Sequence, residues 1–218
     1  LKAHYPAEYM ASLLTSGSDQ KDKSAIDLNE GRRMGIYVLP PKLSDSIATY
    51  SAVGEHIRFA LAAIRNVGVG VVQAIREARE SRGAFESFHD FIKKVPSTVL
   101  NKRTIESLIK GGAFDGLGHT RRALYDIHES VVESASRERR AEEHGDVGFD
   151  FDSLFEEAGE PSTDLVPDRP EWSRKELLSL ERDMLGLYVS DHPLAGLEVT
   201  LASEAEMTIA ELLASERE

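Results

Sequence analysis

Cysteine is absent from the 218 residues. That excludes a disulfide framework, thiol catalysis and cysteine-ligated zinc, and it fits a reducing, cytoplasmic setting. Aromatic side chains are few, with a single tryptophan. They are not interleaved with basic residues, so no platform for stacking single-stranded bases is visible. No apolar run approaches the roughly 18 residues a membrane span needs, so no membrane partner is expected. Neither an initiator methionine nor a signal peptide is present. The chain opens "LKAHYPAEYM", already helix-like, and reads as a piece of something longer. No carboxylate cluster sits where it could fix metal ions for phosphoryl transfer: Asp146, Asp150, Asp152, Glu156 and Glu157 fall in a polar stretch. No catalytic residue, metal site or cofactor is therefore expected within this segment.

Acid is abundant, and it is unevenly placed. Residues 1–125 carry 18 Lys and Arg against 13 Asp and Glu, a net of +5, whereas residues 126–218 carry 8 against 25, a net of −17. A mildly basic half is joined to a strongly acidic one, and the overall −12 hides the contrast.

Apolar spacing predicts a helix over 4–16 and a weaker one over 20–34, with Ile26, Leu28 and Met34 as its apolar positions and an end near Gly35. "IYVLPP" (36–41) is a short β-like run stopped by prolines, and 47–60 reads as a small hairpin turning at Gly54. From Ala60 to about Arg140 the chain looks helical in short pieces, including one whose Phe88, Phe91 and Ile92 are core. Residues 137–172 are polar, acidic and proline-bearing, the composition of a mostly disordered linker. A further helix follows over 173–189, where Ser173 and Glu176 have capping-box spacing, and "MTIAELLASE" offers one more.

The most telling stretch is "AIRNVGVGVVQAI" (63–75). Two glycines interrupt a run that otherwise reads as helix, at roughly 1 kcal/mol each relative to alanine. The pattern predicts a helix over 60–66, a turn through Val67-Gly68-Val69-Gly70 with both valines tucked inward, and a second helix from Val71. Free N–H groups at the restarted helix, with its dipole, make a small anion site that can hold a phosphate without reading bases. Arg65, Arg76, Arg79 and Arg82 lie around it in sequence. A second break follows at Gly116-Leu117-Gly118, with His119, Arg121 and Arg122 beside it and Ala123 in the next helix. A lone Gly-x-Gly between helices is also what an ordinary αα-corner looks like. Two in tandem, ringed by arginines, favour a helix-hairpin-helix module gripping duplex DNA by its backbone. The fold class expected is mainly α, with a small β element and a flexible acidic arm. A repair enzyme built on the same module, or a protein-interaction scaffold, remains an alternative.

Five phrases, "LKAHYPAEYMASLLTS", "RRMGIYVLPP", "AIRNVGVGVVQAIREAR", "LNKRTIESLIKGGAFDGLGHTRRAL" and "LGLYVSDHPL", together resemble one family. It is that of the bacterial DNA polymerase III α subunits, the C-family replicative polymerases; an error-prone paralogue shares the pattern. The resemblance implies the end of a fingers domain over 1–50, a tandem helix-hairpin-helix domain over 51–136, a linker over 137–172, and a helical segment over 173–218 leading toward an OB-fold. It implies that catalytic aspartates and their Mg2+ belong to a palm upstream. The partners it implies are duplex DNA, the sliding clamp and other polymerase III subunits. The family's clamp-docking peptide has its counterpart here in Phe151, Asp152, Ser153, Leu154 and Phe155, without the leading glutamine. After the double proline, Lys42, Leu43 and Ser44 replace the family's Asp-x-Asn. Asp191 and His192 read as a turn before Pro193.

Overall fold

The computed structural model describes residues 2–17, 21–143 and 166–190. Helices α1 (Pro6–Ser16) and α2 (Lys21–Arg33) match the two expected N-terminal helices. α1 starts on Pro6, whose fixed φ and missing N–H suit a first helical turn. It buries Ala7, Met10, Ala11 and Leu14, of which the last three pack with Leu28, Ile36 and Ile57 as a small core of its own. Ile26 and Met34 turn outward instead, at 69% and 39% exposure.

Strands β1 (Val38–Leu39), β2 (Ser51–Val53) and β3 (His56–Arg58) form one sheet in the order β1-β3-β2. β2 and β3 are the expected hairpin, antiparallel about Gly54, whose φ of 60° suits a residue without Cβ. β1 pairs parallel to β3. This sheet straddles residue 50, so the N-terminal helices and the helical body are joined by strand pairing where a domain boundary was expected.

After a 3-10 turn (Leu61–Ala63) come α3 (Val69–Arg82), α4 (Phe88–Lys94), α5 (Lys102–Lys110), α6 (Arg121–Glu143) and α7 (Arg174–Leu185). Their apolar faces share the larger core. At its centre Phe91 meets Phe85 and Phe114 edge to face at 5.0 Å each, and Phe88 meets Phe114 at 5.1 Å. These edge-to-face contacts suit the ring quadrupoles. Asn101 caps α5 by accepting from the N–H groups of Arg103 and Thr104. Ser87 caps α4 in the same way.

The two described ends of the expected linker, 137–143 and 166–172, are not the loose chain that its composition suggests. α6 carries on to Glu143, and residues 166–172 lie against the body, with Val166 on the large core and Trp172 beside Tyr125 at 5.4 Å. Residues 144–165 and 191–218 lie outside the described residues. With them go the peptide Phe151–Phe155, Asp191, His192 and the last expected helix.

α7 has the capping box read from sequence, closed at its other end by left-handed Gly186. The Ser173 hydroxyl and backbone hold Glu176 below its ordinary 4.5. A depressed carboxyl contributes stability that is complete above its unfolded pKa and is lost as pH falls through the lower, folded one. Ser173→Ala is expected to cost about 1 kcal/mol near neutral pH. The deficit should shrink below pH 4.5, a trend that thermal melts of the two proteins along a pH series would follow.

Candidate nucleic-acid interface

The first hairpin differs from expectation in its approach. Residues 60–66 are not an α-helix: one 3-10 turn is followed by extended Ile64. Tertiary contacts override the local preference here. The Arg65 N–H donates to the Met184 carbonyl at the end of α7 at 2.9 Å. Asn66 is left-handed at φ 62°, the one non-glycine so placed among the described residues. Asparagine tolerates that region better than most residues, and α5 fixes it there. The Asn66 amide donates to Ser107 Oγ at 3.0 Å, while Thr104 Oγ1 donates to the Asn66 carbonyl at 3.2 Å.

Val67 is buried, as expected, but Val69 projects outward at 63% exposure because it is the first residue of α3 rather than part of the turn. The glycines do not serve through positive φ. Gly68 is extended (φ −79°, ψ 159°) and caps α3, and Gly70 lies in its first turn. What distinguishes them is space: a Cβ built on either meets nothing within 4 Å. No side chain caps this end of α3, and among the described residues no acceptor reaches the N–H groups of Val69, Gly70 and Val71. The result is an exposed row of amides at the positive end of a helix dipole, with exposed Arg65 just before it.

The arginines divide. Arg76 stays on the exposed face of α3, in a surface pair with Glu80 at 2.8 Å. Arg79 and Arg82 sit about 15 Å or more down the helix axis at 1.5 Å per residue. They donate to the carbonyls of Leu43 and Ser44, and of Lys93 and Lys94. They tie α3 to its neighbours and do not surround the hairpin.

At the second hairpin Gly116 and Gly118 do take positive φ, 94° and 91°. Leu117 packs against the large core, and His119 is half-buried. The helix start is occupied from within. Thr120 Oγ1 accepts from the Ala123 N–H at 3.1 Å. The Glu171 carboxylate takes the Arg121 N–H at 2.7 Å on one oxygen and the Arg122 N–H at 3.1 Å on the other. Arg121 is also not at the surface. Its guanidinium, 8% exposed, donates to both oxygens of Asp115 and to the Lys110 carbonyl. Burial disfavours the charge, but Asp115, helped by Glu181 and Glu171, holds the pKa above its ordinary value. Of the three basic residues expected at this hairpin, Arg122 keeps an exposed side chain, and exposed Lys42 lies beside Gly116.

Thus one hairpin presents bare amides and the other has its amides filled by a carboxylate. A helix-hairpin-helix motif family matches residues 35–124, the stretch from just before the sheet to the first turn of α6. The DNA polymerase III α subunit of Saccharopolyspora erythraea is 51% identical over 221 residues, covering 100% of the chain and 18% of that protein. That of Mycobacterium tuberculosis is 46% identical over 98% of the chain and 18% of its own length. That of Thermus aquaticus is 42% identical over 88% of the chain and 15% of its own length.

The chain belongs to the DNA polymerase III α-subunit family.

It spans 18% of the length of the first two of these α subunits. Among its described residues no group of three His, Asp or Glu side chains could hold a metal ion, and no helix is long and apolar enough to cross a membrane. Within this α-subunit segment, sequence reasoning missed Glu171 altogether, because a glutamate in a proline-rich acidic stretch carries no signal of the helix end it caps 50 residues away. It missed Glu181 for the same reason. That carboxylate, on α7 and 1% exposed, accepts from the N–H groups of Val189 and Ser190 and from the Ser190 hydroxyl. Glu171→Ala should cost about 1 kcal/mol, the usual worth of a helix cap. Hydrogen exchange should speed up at the amides of Arg121 and Arg122 and stay unchanged at Val69 to Val71.

Proposed function

We propose that this segment holds duplex DNA by its sugar–phosphate backbone, without reading sequence, as part of a replicative polymerase. The observation that carries the reading is the uncapped start of α3. Val69, Gly70 and Val71 offer their N–H groups outward, and Gly68 and Gly70 leave clear space through which a phosphate can approach. Arg65 adds charge beside that space, and Arg76 adds charge two turns along α3. The exposed valine at position 69 can rest against a sugar edge while the amides hold the phosphate.

The second hairpin does not act as an equal clamp in this reading. Glu171 holds the two amides where a phosphate would bind, so Gly116, Leu117, Gly118 and His119 shape a turn that fastens residues 166–172 to the body. Arg122 reaches outward there, with exposed Lys42 beside Gly116.

Tethering to the sliding clamp through Phe151, Asp152, Ser153, Leu154 and Phe155 is the second part of the proposal. Large apolar side chains in an acidic stretch suit a peptide that anchors in a partner's pocket. Other polymerase III subunits, and Mg2+ in a palm outside this segment, complete the assembly that membership of the family suggests.

The test is titration of a labelled duplex with the chain across a salt series. A backbone binder forms a complex at low salt whose log affinity falls linearly with log salt, by about 0.9 per phosphate engaged. No complex, or a complex indifferent to salt, contradicts the reading.

A further inference from the structure

With the second hairpin filled, an interface with DNA needs another set of backbone contacts, and the surface beside the first hairpin supplies one. Between the start of α5 and the second half of α6 runs an open groove of about 650 Å³. Its lining includes Lys102, Arg103, Arg137 and Arg140 against a single acid, Glu133. The lining carries a net of +3, or +2 with Glu129 beside Lys102, on a chain whose formal charge is −12. Asn101, at the groove's end, adds an exposed amide side chain.

Two features set this groove apart from an ordinary solvated face. It is tied to the hairpin through α5: Thr104, the residue after Arg103, donates to the Asn66 carbonyl in the hairpin turn, and Ser107 accepts from the Asn66 amide one turn on. One helix therefore carries both the hairpin's support and the groove's first two cations. Two of the groove's cations are also weakly committed. Lys102 lies 3.3 Å from Glu133 and 3.8 Å from Glu129, and Arg137 lies 3.6 Å from Glu133; the Glu133, Glu129 and Arg137 side chains are 59%, 70% and 75% exposed. Exposed pairs of this kind are worth little, so exchanging the carboxylate for a phosphate costs little.

We infer that this groove is a second contact for the phosphodiester backbone of the duplex held at the first hairpin, with Lys102, Arg103, Arg137 and Arg140 as its phosphate ligands and Glu133 as the anion that Lys102 and Arg137 give up. The inference rests on the backbone-binding reading above. Arginine forks match phosphate oxygens two at a time, and none of these side chains is held in a way that would read bases.

The test uses the full chain, a labelled duplex and a salt series. It compares wild type with the triple variant Arg103→Gln, Arg137→Gln, Arg140→Gln, with Glu133→Gln, and with Gly70→Ala at the hairpin. The triple variant should bind roughly tenfold or more weakly at low salt, with a salt slope smaller by about 0.9 for each phosphate it no longer engages. Glu133→Gln should bind more tightly than wild type, a gain that damage to the fold does not produce. If the triple variant and Glu133→Gln both match wild type while Gly70→Ala weakens binding, the groove inference fails and the hairpin reading stands. If Glu133→Gln weakens binding, the groove inference fails as well. If wild type itself shows no salt-dependent complex, the hairpin reading fails and takes the groove with it.

Discussion

Gly70→Ala is expected to make the protein more stable and its hold on DNA weaker. Gly70 lies in the first turn of α3 with ordinary helical geometry, and a Cβ there meets nothing within 4 Å. Alanine is therefore free to contribute its higher helix propensity and its smaller unfolded-state freedom, a gain of about 0.5–1 kcal/mol. The same methyl group stands in the space through which a phosphate reaches the N–H groups of Val69, Gly70 and Val71. Keeping the phosphate off those donors should weaken duplex binding by roughly tenfold, which corresponds to about 1.4 kcal/mol. Chemical denaturation measures the first effect and the duplex titration the second. A substitution that harmed binding by harming the fold would move both in the same direction, so the opposite signs are the informative part. Gly116→Val makes no comparable probe. At φ 94° any side chain there is strained, and the second hairpin would lose stability for reasons unrelated to DNA.

The largest loss of stability is expected from Asp115→Ala. Asp115 is half exposed, but the guanidinium it holds is 8% exposed and sits beneath the second hairpin. Removing the carboxylate leaves a buried guanidinium with the Lys110 carbonyl as acceptor and the charges of Glu181 and Glu171 nearby; with those charges kept and Asp115 half exposed, the cost falls at the low end of the about 3–5 kcal/mol for breaking a buried pair. Arg121→Ala should cost less, because the partner it strands can reach water. Gly112 is bound to the same arrangement: its φ is 82°, and a Cβ there would collide with Arg121 Nη2. Differential scanning calorimetry of Asp115→Ala and Arg121→Ala would show the order. The folded fraction of each should keep the wild-type salt slope for duplex binding, since the Arg121 guanidinium faces inward and touches no phosphate in this account.

Much of the scaffold could be read from residue order. The α1 helix, the Gly54 hairpin, the aromatic core at Phe88 and Phe91, and the Ser173 capping box are all signals carried within a few residues, and all appear where expected. The glycine pair at 68 and 70 marked the hairpin correctly, although for a reason of space and not of positive φ. The failures share one cause. Residues 60–66 read as helix because alanine and leucine favour it, yet the tie between Arg65 and Met184 joins positions more than a hundred residues apart. Arg121 beside a Gly-x-Gly looked like a phosphate ligand because sequence shows the charge and conceals Asp115 folded over it. The linker's composition was that of a disordered chain, but one glutamate within it is anchored by two backbone amides across 50 residues. Local chemistry was legible; which amide is already taken was not.

The most direct measurement follows backbone amides by heteronuclear NMR as duplex is added at low salt. The account predicts that the signals of Val69, Gly70 and Val71 move in a saturable way, while those of Arg121 and Arg122, held by Glu171, stay where they are. Movement at Arg121 and Arg122 with Val69 to Val71 unchanged would contradict it.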